Sequence, residues 1–127
     1  MRIPSERYET ILHPSASISS SAEISRGCVV FQNVVITSKV HIGKHGMILP
    51  NSVISHDSRI GDYSIIAGCV CISGDVTVGK NCYLGAKSSL RDGIKISDGC
   101  LIGCGANVVC DTPPATTWVG NPARIYG

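Results

Sequence analysis

Aromatic side chains are scarce in this chain: one Trp, one Phe and four Tyr, 5% of 127 residues. That excludes a core built around large rings and leaves the interior to small aliphatic side chains. Charge is equally thin. Charged residues make up 16% of the chain and the net charge is +2, too weak to argue for nucleic acid or an anionic membrane as a partner. No apolar run is long enough to span a bilayer, so membrane insertion is not expected. The stretch Met1-Arg2-Ile3-Pro4-Ser5-Glu6-Arg7 has no apolar h-region, which reads as no signal peptide and points to the cytoplasm. The hydrophobic share of 43% argues against disorder, and the length suits one domain.

The seven cysteines fit neither a disulfide scaffold nor a zinc ribbon. Cys28, Cys82 and Cys100 fall instead at a repeat position occupied elsewhere by other small or aliphatic residues, where a thiol acts as a small apolar core group. No metal is expected.

What the chain has in abundance is a period of six. Counting from Ile18, the positions Ile24, Val30, Ile36, Ile42, Ile48 and onward to Ile102 and Val108 are aliphatic without a slip, sixteen in all. A second column lies two residues earlier: Ala16, Ala22, Cys28, Val34, Val40, Gly46, Ser52, Ser58, Ser64 and so on to Ala106, small or aliphatic throughout. A glycine often follows the large aliphatic, as at Gly43, Gly61, Gly79, Gly85 and Gly103.

A period of six matches neither a helix nor a long strand. It matches a short strand and a turn, repeated three times to close a triangle of eighteen residues. Aliphatics then stack on their equivalents in the next circuit at about 4.8 Å, and five circuits give a prism roughly 25 Å tall. The glycines are expected to supply positive φ at the corners. The fold class is therefore all-β, a single-stranded parallel β-helix of about five coils. Residues 1–11 form a connector or cap, 12–110 the helix, and 111–127 a tail. The tail leaves the hexads at Asp111-Thr112-Pro113-Pro114 and should fold back over the open end.

A dry aliphatic prism has no internal active site, so chemistry must lie on an outer face or between subunits. Of the four histidines, His13 reads as a turn or cap residue. His41 and His45 flank Ile42-Gly43-Lys44, a spacing unlike that of the three zinc-binding histidines in the gamma class of carbonic anhydrases. His56 falls two residues after Ile54, at an outward corner, and Asp57 follows at once. An imidazole can accept a proton near neutral pH, and an adjacent carboxylate favours its protonated form. A solvated surface pair is the plain alternative. No P-loop, Rossmann fingerprint or nucleophile elbow is present.

The hexad array followed by Trp118-Val119-Gly120-Asn121-Pro122-Ala123-Arg124-Ile125 resembles the hexapeptide-repeat acyltransferases, whose coil is left-handed. Leu12 to Ala16 and Ser55-His56-Asp57 resemble the branch containing sialic acid O-acetyltransferases and UDP-4-amino-sugar N-acetyltransferases. The resemblance implies acetyl-CoA as co-substrate and a homotrimer with active sites between neighbouring prisms. It also implies an acceptor amine or hydroxyl on a sugar or sugar nucleotide, of the kind used in polysaccharide biosynthesis. His56 carries over as general base and Asp57 as its supporting acid. Ile65, Gly74, Ala86 and Cys104 match cofactor contacts, and Arg124 would face the CoA phosphates. Relatives in this branch often have a second histidine where this chain has Ile65, and usually a sugar-nucleotide domain ahead of the coil, whose connector residues 1–11 resemble. The competing reading is a trimeric β-helix scaffold without chemistry.

Overall fold

The computed structural model describes residues 9–127. No helix occurs among them. Nineteen short strands, nearly all of two residues, are laid down at six-residue intervals from Ile11–Leu12 to Asn107–Val108, with Thr117–Val119 and Arg124–Ile125 at the end. Every strand but the last pairs in parallel with the strand one circuit away: Ile11 with Val29, Ile18 with Ile36 and Ile24 with Ile42. Three parallel ladders result, one per side of a triangular prism. They are called here the first, second and third faces, in the order in which the strands Ile11–Leu12, Ser17–Ile18 and Glu23–Ile24 open them.

The inward aliphatics form the core. Ile36, Ile42, Ile48, Ile54, Ile66, Ile72, Leu84, Leu90, Ile96 and Ile102 are all under 2% exposed. The small column turns inward beside them, and its serines are more than fillers. The Ser58 hydroxyl donates to the Ser73 carbonyl (3.0 Å) and accepts from the Val76 N–H (3.2 Å). Ser52 and Ser64 make the same pair of bonds one hexad earlier and later. Successive circuits are thus bonded together at the corners. Ser58→Ala strands a buried N–H and a carbonyl and is expected to cost about 1–3 kcal/mol, read as a lower midpoint in urea with an unchanged slope. Cys28, Cys82 and Cys100 are buried in this column, as their hexad position predicts, and desolvation pushes the Cys28 and Cys82 thiols up. These three should react with a thiol reagent only on unfolding, whereas Cys69, Cys71, Cys104 and Cys110 are exposed.

The corner glycines do a different job from the one their spacing suggests. From Gly27 to Gly105 positive φ falls on the second residue of each turn, supplied by glycine at Gly27, Gly93, Gly99 and Gly105 but elsewhere by other residues: Asn51, Asp57, Tyr63, Cys69 and Asp75 have φ between 57° and 65°. The left-handed conformation there is held by a bond to the previous circuit, as from the Asp57 N–H to the Ser38 carbonyl (3.0 Å). Gly61 is required for closeness instead: a Cβ on it would lie 2.7 Å from the Lys80 amide nitrogen of the next circuit.

The stack has about six turns rather than five, because the strands Ile11–Leu12 and Thr117–Val119 extend it beyond the counted hexads. After Asp111 the chain does not fold back at once. Thr112 bridges Ile96, and Thr117–Val119 pairs with Leu101–Ile102 after a circuit of sixteen residues (Leu101 with Thr117). Only then does Arg124–Ile125 return antiparallel along Thr117–Val119. At the other end, residues 1–8 of the expected cap lie outside the described residues, and Leu12 is 45% exposed.

Candidate active site

His56 and Asp57 are the two turn residues that join strand Val53–Ile54 of the second face to Arg59–Ile60 of the third. The left-handed φ of Asp57 swings its carboxylate back beside the ring, so neighbours in sequence converge: His56 Nδ1 lies 2.9 Å from Asp57 Oδ2. An ionised carboxylate can only accept, so Nδ1 carries the proton and, in the neutral ring, Nε2 keeps its lone pair. Among the described residues Nε2 has no hydrogen-bond partner.

The ring is also seated. It lies over Gly74, the equivalent turn residue one circuit on, where a Cβ would come 2.7 Å from His56 Cε1 and closer still to Nε2. Gly74 is therefore the surface on which the imidazole rests. Gly74→Ala must displace the ring while leaving the core intact, because both residues lie outside it. Unchanged melting with a changed His56 ring resonance by NMR is the expected result.

The other expected site residues lie elsewhere on the prism. Ala86 and Cys104 stack one circuit apart on the edge between the first and second faces, where the Gly105 N–H donates to the Ala86 carbonyl (2.9 Å). Ile65 points outward on the first face, flanked by Met47 and Tyr83. Arg124 is exposed in the last strand of that face. The structure thus brings His56, Asp57 and Gly74 together on one edge. It holds Ala86 and Cys104 on another, across the width of the second face, up to about 20 Å for six extended residues.

The faces differ sharply. The first presents Ile11, Val29, Met47, Ile65, Tyr83 and Leu101; the second Ser17, Val35, Val53, Cys71, Ser89 and Asn107. Among the strands from Ile11–Leu12 to Asn107–Val108 the third face alone is charged, with Glu23, His41, Arg59, Thr77 and Lys95. It holds a groove of about 440 Å³, which the sequence reading missed; the outward column immediately before each inward aliphatic carries its signal. No group of three or more His, Cys, Asp or Glu among the described residues could hold a metal ion.

A prism of parallel hexads is the form of the hexapeptide-repeat acyltransferases, left-handed parallel β-helices. The chain belongs to the family whose model is described as the GMPPB C-terminal domain, which matches residues 12–109. No curated protein matches it. Among solved structures it is similar to PerB from Caulobacter crescentus in complex with CoA and GDP-perosamine, at TM-score 0.94 and 31% identity over 94% of this chain and 58% of that one. The acetyltransferase domain of PglB from Neisseria gonorrhoeae, in complex with acetyl coenzyme A, follows at TM-score 0.91 and 27% identity, covering 92% and 57%. WeeI from Acinetobacter baumannii has TM-score 0.88 and 29% identity, covering 91% and 57%. The Caulobacter N-acetyltransferase has also been solved with one histidine replaced by alanine or asparagine. The chain spans a little over half the length of these structures.

Proposed function

We propose that this chain is the catalytic body of an acetyl-CoA-dependent acetyltransferase that acts on an amine or hydroxyl of a sugar or sugar nucleotide in the cytoplasm. The observation that carries the reading is the His56 imidazole, fixed at Nδ1 by Asp57, seated on Gly74 and open at Nε2. Solved neighbours bound to CoA, acetyl-CoA and GDP-perosamine support the choice of substrates.

His56 Nε2 takes a proton from the acceptor as its nitrogen or oxygen attacks the thioester carbonyl. The new C–N or C–O bond forms, the C–S bond breaks, and the imidazolium returns the proton to the departing thiolate. Asp57 holds the ring in one tautomer throughout, and backbone N–H groups of the cleft stabilise the oxyanion. No acyl-enzyme is needed.

Gly74 acts first as the seat of the base. Ala86 and Cys104 offer a narrow edge of small side chains and turn backbone to the pantetheine arm. Ile65 gives the thioester end an apolar contact where relatives often have histidine, and Arg124, in the tail of residues 111–127, attracts the CoA phosphates. His56 and the Ala86–Cys104 edge lie too far apart in one prism to serve one thioester. Two copies placed edge to edge join them, which supports a homotrimer with its sites in the clefts. The apolar first face and the small-residue second face suit such contacts.

Calorimetric titration with acetyl-CoA, alongside sedimentation, tests the reading. Saturable binding by a trimer is expected. A folded trimer that binds no acetyl-CoA leaves the scaffold reading, and a monomer at micromolar concentration removes the cleft.

A further inference from the structure

We propose that the third face carries a second binding site, an anion groove that seats the phosphate or diphosphate group of a small molecule on Arg59, Thr77 and Lys95. These residues occupy the outward position of three successive circuits, with Thr77 paired to Arg59 on one side and to Lys95 on the other. Rungs are about 4.8 Å apart, so the two long side chains reach toward the threonine hydroxyl from either side. All three residues line the same open groove of about 440 Å³, together with Lys80.

The groove's charges are divided in a way that favours an anion. Its carboxylates are already engaged: Glu23 pairs with His41 at 3.0 Å, and Asp98 Oδ1 accepts the Lys80 N–H at 2.8 Å. Its cations are not. Among the described residues no carboxylate lies within 4.0 Å of the side-chain nitrogens of Arg59, Lys80 or Lys95, Asp98 and Asp111 accepting only from the backbone N–H groups of Lys80 and Lys95, and the Thr77 hydroxyl bonds to no protein atom. Beside the cations the wall is bare backbone at Gly43, Gly61 and Gly79. Contact with the next circuit forbids a side chain at Gly61 and Gly79, so the slot is built into the stacking.

A single carboxylate would be satisfied by the Arg59 fork alone and leave Lys95 unused. A phosphate has enough oxygens for the fork, the hydroxyl and the ammonium at once, and a diphosphate spans more of the ladder. The site is independent of the acetyl-transfer reading, since it uses neither His56 nor Arg124.

Titration of the full chain with pyrophosphate at low salt, followed by calorimetry, is the test. Saturable binding is expected, weakened about tenfold or more by Arg59→Gln and again by Lys95→Gln. All of these side chains are exposed, so the variants should melt like the parent. His56→Ala and Arg124→Ala should bind as the parent does. A nucleoside diphosphate that binds more tightly than pyrophosphate would support a nucleotide ligand, and equal affinity would support the phosphate group alone. Absence of saturable binding, affinity unmoved by Arg59→Gln with Lys95→Gln, loss in Arg124→Ala instead, or acetate binding as tightly as pyrophosphate would each overturn the proposal.

Discussion

Replacing His56 by alanine should lower turnover about 10²- to 10⁴-fold, the usual contribution of a positioned proton acceptor, without moving the melting temperature. The side chain is 63% exposed and packs on no core residue, so its loss touches chemistry and not stability. Asp57→Asn separates positioning from charge. Asparagine tolerates the left-handed φ of 60° at this turn, so the backbone is kept. Its amide can hold the wrong tautomer, by donating to Nδ1 and leaving Nε2 protonated. A fall in kcat with little change in KM is the expected pattern. The measurement is steady-state release of CoA thiol with an amino-sugar nucleotide acceptor. Full activity in His56→Ala would remove the proposed base.

The largest expected effect on stability comes from a single buried charge. Ile72 is 0% exposed and stacks between Ile54 and Leu90 on the second face. Ile72→Asp leaves a carboxylate with no partner inside an aliphatic column, at a cost of several kcal/mol against the roughly 5–15 kcal/mol that a domain has in total. In a stacked repeat the penalty falls on the interfaces both above and below the altered circuit. Loss of the cooperative thermal transition is expected, with circular dichroism as the readout. A folded, cooperative Ile72→Asp protein would contradict the register of the whole coil. Val35→Asp, on the outward side of the same face, is the control that should still fold.

The six-residue period made the architecture legible, because each inward aliphatic must meet its equivalent one circuit away. The same spacing located His56 at a corner. It could not show that Asp57 turns back onto Nδ1, since that depends on a left-handed φ at a residue whose type only permits it. Nor did it show that Gly74 lies beneath the ring, because residues eighteen apart become neighbours only after the circuit length is known. The glycines misled for a related reason. Gly43, Gly61 and Gly79 repeat like turn residues, yet their constraint is the closeness of the next circuit, which is long-range in sequence. The final circuit of sixteen residues escaped detection because it is two residues short: the count in sixes lands on Pro114 and Gly120, while Trp118 takes the place above Ile102.

The eighteen-residue circuit also restricts which changes in chain length the protein can absorb. A six-residue insertion leaves the inward column unbroken, and the core would pack as before. Every residue beyond the insertion would nevertheless advance by one side of the triangle. Inserted between Ile60 and Ile65, six residues would carry Ile65, Tyr83 and Leu101 from the first face to the second. Gly74 would move away from beneath His56, and Thr77 and Lys95 would part from Arg59. The outer surface, unlike the interior, survives only insertions or deletions of whole circuits. A chain can thus keep its fold and melting behaviour while losing every site whose residues lie on both sides of the insertion.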